Sequence, residues 1–136
     1  MSVSPESLVS AAGRLVQPVA GDAATLTPGL RARAAAILLR MALDLALDAY
    51  WLRVTPSMTR VGKHRMLCLE WYAGRDTARR CRATWSALSA ACHHHTGELP
   101  PSPAEIHTRV HEVTALVATL RTGPRASASA TPATNT

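Results

Sequence analysis

A serine or threonine followed by proline occurs four times along this 136-residue chain, and each pair predicts the start of a helix. The hydroxyl of such a pair accepts a hydrogen bond from the first helical turn, while proline already has the backbone angle that this turn needs. The pairs are Ser4-Pro5, Thr27-Pro28, Thr55-Pro56 and Ser102-Pro103. Glu105 strengthens the last prediction, because a glutamate three residues after the cap completes a capping box.

Apolar residues between these starts recur at helical spacing, and no segment alternates in the manner of a strand. We predict helices over about residues 5–17, 28–53, 57–72, 76–95 and 103–120. The second is apolar on nearly all sides, through residues such as Leu30, Ile37, Met41 and Leu52, which is typical of a central helix that neighbours cover. The sequence therefore predicts an all-α, up-and-down bundle of four to five helices.

Length and composition favour one helical domain over residues 1–122, followed by a small-residue tail over 123–136 that we expect to be disordered. The chain is 47% hydrophobic, mostly alanine, leucine and valine, and it contains no phenylalanine. Such a core buries little area per residue, so an apolar face could remain for a second copy of the chain. We therefore predict a homodimer, with another protein as a further candidate partner.

The compartment follows from the cysteines and from the absence of recognisable targeting segments. Three cysteines, an odd number, lie among apolar residues without a secretory leader, which favours reduced thiols in the cytoplasm. Arg40, Asp44 and Asp48 interrupt the longest apolar run, so we predict no membrane span and no membrane partner.

Positive charge is concentrated in the middle of a chain whose net charge is +6. Residues 53–82 contain eight cations and two carboxylates, a balance that can attract RNA or other phosphates but also suits an ordinary solvated surface. The candidate binding residues in this segment are Arg53, Arg60, Lys63 and Arg79. On the second helix, Arg40 and Asp44 are further candidates, because their spacing of four permits an ion pair on a polar stripe or in a cleft.

Five of the six histidines fall within residues 93–111. His107 and His111 are one helical turn apart, so both imidazoles share a face and could ligate zinc or a similar metal. Cys92, His93, His94 or Glu98 would supply a third ligand. The alternatives are helix-end histidines with a structural role, or a polar site for binding or acid–base chemistry. The sequence contains no His-Glu-x-x-His pattern.

Four segments of the chain resemble uncharacterised small helical proteins of actinobacteria. They are residues 33–44 (RAAAILLRMALD), residues 85–95 (WSALSAACHHH), Glu98-Leu99 and the later Ser-x-x-Glu. More distantly, they are similar to the HEPN superfamily. This resemblance implies a dimeric bundle of four or five helices, often a ribonuclease that uses an arginine followed four to six residues later by a histidine. Arg82 lies too far from His93 for that spacing, so the resemblance implies only that His94 or His95 would act with an arginine such as Arg82 from elsewhere in the dimer.

The predicted function is an interaction or accessory module, because the chain contains no complete catalytic motif and Val61-Gly62-Lys63 lacks the spacing of a phosphate-binding loop. The alternatives are a HEPN-like protein that binds or cleaves RNA, and a metal-binding bundle. We predict no cofactor.

Overall fold

The computed structural model describes residues 3–17, 27–57, 62–93 and 99–122, without the side chains of Gly62 and Lys63. This part of the chain forms five helices and no strand, which confirms the predicted all-α bundle. The helices are α1 (Pro5–Val16), α2 (Pro28–Val54), α3 (Gly62–Ala73), α4 (Arg75–Cys92) and α5 (Pro103–Thr122). None of these described helices combines the length and the hydropathy needed to cross a membrane.

Three of the four Ser/Thr-Pro pairs begin helices as predicted. The Ser4 hydroxyl accepts a hydrogen bond from the Ser7 backbone N–H at 3.0 Å, and Ser7 returns a side-chain contact to the Ser4 N–H, which makes a capping box. Thr27 caps α2 in the same way, and the Ser102 hydroxyl accepts the Glu105 N–H at 3.1 Å at the start of α5. These caps fix three helix starts within the sequence itself.

The remaining pair, Thr55-Pro56, ends a helix instead of beginning one. The Thr55 N–H donates to the Trp51 carbonyl at 2.8 Å, so this threonine closes the last turn of α2. Because a residue before proline is disfavoured in helical conformation, Pro56 acts here as a stop. Helix α3 then begins at Gly62, five residues later than the predicted start at residue 57.

Helix α2 is central, since α1, α4 and α5 all pack against it. Half of its ten buried positions are alanines, which let the neighbouring helices approach closely. They are Ala32, Ala35, Ala36, Leu39, Ala42, Leu43, Ala46, Leu47, Tyr50 and Trp51. Neighbours thus cover α2 on several sides, as expected of a central helix, but on one side the larger residues Leu30, Ile37, Met41 and Leu52 are exposed in the described structure.

Helices α4 and α5 complete the core. In α5, the helical spacing of Ile106, Val110, Val113 and Val117 predicts the inner face; Ile106, Val113 and Val117 are buried, and Val110 is half-buried. In α4, the helix ends at Cys92 and His93 forms its C-cap, earlier than the predicted end at residue 95. Gly74 alone separates α3 from α4, and its φ of 99° is a conformation that residues with a side chain rarely adopt.

Candidate interaction surface

One face of α2 carries large apolar side chains that no described helix covers. Leu30, Ile37, Met41 and Leu52 are 49%, 44%, 47% and 62% exposed. Their spacings of seven, four and eleven residues place them along a single line on the helix. We call these four residues the α2 stripe. Large apolar residues exposed along one line of a helix indicate a surface for interaction.

A groove lies beside the middle of the α2 stripe, between α2 and α4, with a volume of about 300 Å³. Its lining residues are Ile37, Arg40, Met41, Asp44, Trp85 and Cys92. The Arg40 guanidinium carbon lies 4.8 Å from the centre of the Trp85 ring, in a cation–π arrangement. The groove therefore joins an apolar floor to an arginine held against an aromatic ring.

The spacing-four ion pair predicted between Arg40 and Asp44 does not form. The described residues place no carboxylate oxygen within 4.0 Å of the Arg40 guanidinium, which stacks on Trp85 instead. Asp44 is exposed and likewise pairs with no described cation. Both residues line the same groove, so one positive and one negative group stand side by side on this surface without neutralising each other.

The next acidic residue on α2, Asp48, pairs with α3. Its Oδ1 lies 2.6 Å from Nη2 of Arg65, whose side chain is only 8% exposed. The same nitrogen has no partner with hydrogen-bond geometry, so charge attraction holds the pair. Sequence analysis counted Arg65 within the basic segment, but its spacing of four from buried Leu69 was a signal that it faces inward.

Arg53, predicted to bind phosphate, is used within the fold. Its Nη2 donates to the Leu120 carbonyl at 2.7 Å, one of the free carbonyl groups at the end of α5, and its guanidinium lies 5.7 Å from the Tyr50 ring centre. Burial raises the pKa of the Tyr50 hydroxyl, and the Arg53 charge opposes that effect. Arg53 therefore joins the C-terminal ends of α2 and α5.

The other predicted cations are partly neutralised. Arg79 lies 2.7 Å from Asp76, and Arg80 reaches the same carboxylate at 3.7 Å. Arg82 is exposed and makes no ion pair with any carboxylate in the described residues. Arg60 and the Lys63 side chain lie outside the described part of the chain. Of these predicted cations, the described structure therefore pairs Arg79 with a carboxylate and leaves Arg82 without one.

Helix α3 exposes two large apolar residues that sequence analysis did not single out. Trp71 is 81% exposed and Leu67, one turn earlier, is 60% exposed. The neighbouring Tyr72 faces the bundle instead, with its ring centre 5.1 Å from that of Trp51. The spacing of four between Leu67 and Trp71 was the available signal, but it did not reveal which face of α3 packs on the bundle.

The predicted metal ligands His107 and His111 lie together on the exposed face of α5. Their Nε2 atoms are 3.2 Å apart and their rings are nearly perpendicular. The positions of His94, His95 and Glu98 lie outside the described residues. Within the described part, no group of three histidine, cysteine or acidic side chains is arranged to hold a metal. The structure therefore brings two predicted ligands together and, among the described residues, places no third beside them.

All three cysteines are described, and none forms a disulfide. Cys68 and Cys92 are half-buried, whereas Cys81 is buried between helices. Burial raises the pKa of the Cys81 thiol to about 11, against the opposing charges of Arg80 and Arg82. A buried neutral thiol of this kind behaves as a small apolar residue in the core.

Comparisons with protein-family models, with curated proteins and with solved structures found no match to this chain. The resemblance to HEPN bundles and to actinobacterial helical proteins therefore remains a prediction.

Proposed function

We propose that this chain is a cytoplasmic, non-enzymatic interaction module, and that the α2 stripe with its adjoining groove is its binding surface. One observation carries the proposal: the helix that forms the centre of the core also exposes four large apolar side chains along one face. The three free thiols support a reducing compartment.

Burial of the α2 stripe against a partner would supply the free energy of binding. Covering a fully exposed side chain of this size contributes about 1.5–3 kcal/mol, and the stripe residues are roughly half exposed. The groove adds Trp85 and Arg40, two residue types that often dominate the energy of protein interfaces. An apolar centre with charged groups at its edge is typical of such interfaces.

A site-specific photo-crosslinker tests this proposal in cells that produce the full chain. We would place the reactive residue at Met41, in the stripe, and in a matched control at Ala118, which is exposed on α5. Adducts of one defined mass from position 41, absent from position 118, are expected. If position 41 gives no adduct, or if both positions give the same pattern, the stripe is not a binding surface.

The His107–His111 pair supports a second candidate function, metal binding on α5. Two imidazole nitrogens 3.2 Å apart on one helix face can turn towards a single Zn²⁺ ion, with further ligands from elsewhere. Zinc should raise the melting temperature of the untagged wild type but not that of the His111→Ala variant. Equal responses of the two proteins to zinc would contradict this candidate.

A HEPN-like ribonuclease is the remaining alternative. Arg82 supports it as an exposed cation without a carboxylate partner among the described residues. RNA cleavage by the wild type and not by a His94→Ala/His95→Ala variant of equal helicity would favour it. Indifference of both proteins to RNA would remove it.

A further inference from the structure

We infer that the occupant of the α2 stripe is a second copy of this chain, which packs its own α2 antiparallel to the first about a two-fold axis beside Met41. This inference rests on the proposed function, because it names the partner of the same surface. It is carried by the distribution of charge along α2 and by the symmetry of the stripe.

The charges on the exposed side of α2 are separated by sign along the helix. Arg33 and Arg40 lie in its first half, and Asp44 lies in its second half, followed by Asp48, which already pairs with Arg65 of α3. Two copies packed in parallel would set equal charges opposite each other. Antiparallel copies set opposite charges together, so the helix is electrostatically complementary to itself in one orientation only.

Three of the four stripe residues, Leu30, Met41 and Leu52, are symmetric about Met41. In a two-fold contact centred there, residues at equal distances before and after Met41 meet across the axis. Leu30 lies eleven residues before Met41, and Leu52 lies eleven after, so Leu30 meets Leu52 of the partner subunit. The two Met41 side chains meet at the axis, whereas Ile37 lies level with the partner's Leu45, which is half-buried against its own core. Leu30, Met41 and Leu52 thereby gain exposed apolar neighbours.

The unpaired charges of the groove also find partners in this arrangement. Arg40 lies one residue before Met41, and Asp44 lies three residues after it. The two-fold rotation therefore places the partner's Asp44 level with the third residue before Met41, two residues from Arg40 or about 3 Å along the helix axis. An arginine side chain spans this offset. Both residues lie on the α4 side of the stripe, and a two-fold axis across antiparallel helices brings these equivalent edges together. Symmetry gives two such ion pairs in one dimer.

Charge reversal tests the inference, measured by sedimentation velocity on the untagged full chain. The wild type is expected to dimerise. Arg40→Asp makes positions 40 and 44 of the groove both negative and Asp44→Arg makes them both positive, so each variant should weaken self-association at least tenfold. An equimolar mixture should regain a dimer, because its two chains carry opposite charges. The double variant Arg40→Asp/Asp44→Arg should also dimerise.

Arg82→Asp is the matched control, since it reverses an exposed cation on α4 away from the groove lining and should leave the dimer intact. Circular dichroism checks that each variant folds. If Arg40→Asp unfolds, Asp44→Arg still tests the inference, because Asp44 is exposed and its replacement should not disturb the core. A monomeric wild type overturns the inference, as does a dimer that ignores both reversals or a mixture that stays monomeric. If the wild type is monomeric and position 41 crosslinks to another protein, the proposed function holds and only the self-association is contradicted. If position 41 gives no adduct at all, both the proposed binding surface and the self-association are contradicted.

Discussion

Replacing Asp48 by alanine should destabilise the bundle by about 2–3 kcal/mol, because the substitution leaves the Arg65 guanidinium buried without its counter-charge. The Arg65 side chain is 8% exposed, and its Nη2 lies 2.6 Å from the Asp48 carboxylate. That nitrogen has no hydrogen-bond partner in the described structure, and Asp48 is its only ion-pair partner there. When Asp48 is removed, no other described side chain is in place to balance the charge of the Arg65 guanidinium.

The expected loss of stability lies between the cost of breaking a fully buried ion pair and that of breaking an exposed one. Breaking a fully buried ion pair costs about 3–5 kcal/mol, and breaking an exposed one costs about 0–1 kcal/mol. Asp48 is 26% exposed, so solvent already screens part of the attraction and lowers the expected cost below the buried limit. For a bundle of this size, the loss corresponds to a fall in melting temperature of about 10 °C.

The two partners should differ in their response to removal. Arg65→Met leaves the more exposed Asp48 carboxylate, which water can solvate, and should cost only about 1 kcal/mol. The double variant Asp48→Leu/Arg65→Met removes both charges and should return close to the stability of the wild type.

Urea denaturation followed by circular dichroism measures each change in the free energy of unfolding. Glu70→Ala is the control, since it removes an ion pair to Arg75, whose side chain is 85% exposed, and should cost less than about 1 kcal/mol. If Asp48→Ala lies within about 0.5 kcal/mol of the wild type, the guanidinium is not held in a buried environment and the reasoning fails.

Three further expectations concern the caps and the core. Arg53→Met removes the hydrogen bond to the Leu120 carbonyl and should cost about 1–2 kcal/mol in the same urea assay, a result that an unchanged midpoint would contradict. Thr27→Ala leaves the first turn of α2 uncapped and should cost about 1 kcal/mol, whereas Thr27→Ser should be nearly neutral. Because the pKa of Cys81 is raised from 9.0 to about 11, the folded state retains a proton that the unfolded state releases, so this contribution to stability is complete below pH 9 and is lost as the pH rises from 9 to 11. Urea midpoints should fall less steeply over this range in Cys81→Ala, and Ellman's reagent should modify two thiols in the native protein before the third.

Local sequence determined where most helices begin and what class of fold results. The hydroxyl–proline pairs at residues 4, 27 and 102 act within one turn, so their effect does not depend on packing, and the helical spacing of Ile106, Val113 and Val117 marked the buried face of α5. Thr55-Pro56 shows the limit of such local signals, since the same pair ends α2 once the preceding helix occupies the Thr55 N–H. Residues flanking the pair, and not the pair itself, decided its role.

Only tertiary structure decided which large apolar residues of α2 stay uncovered and which charges are buried. The charges of α2 marked one side of the helix as a candidate solvent face, but they did not show that Ile37 and Met41 would be exposed beside them, which follows from the packing of α1, α4 and α5 on the rest of the helix. Likewise, the charge of Arg65 said nothing of its burial, because the compensating Asp48 is seventeen residues away in sequence and meets it only when α3 folds against α2. Spacing along one helix is a property of the sequence, whereas contact between helices depends on how they pack.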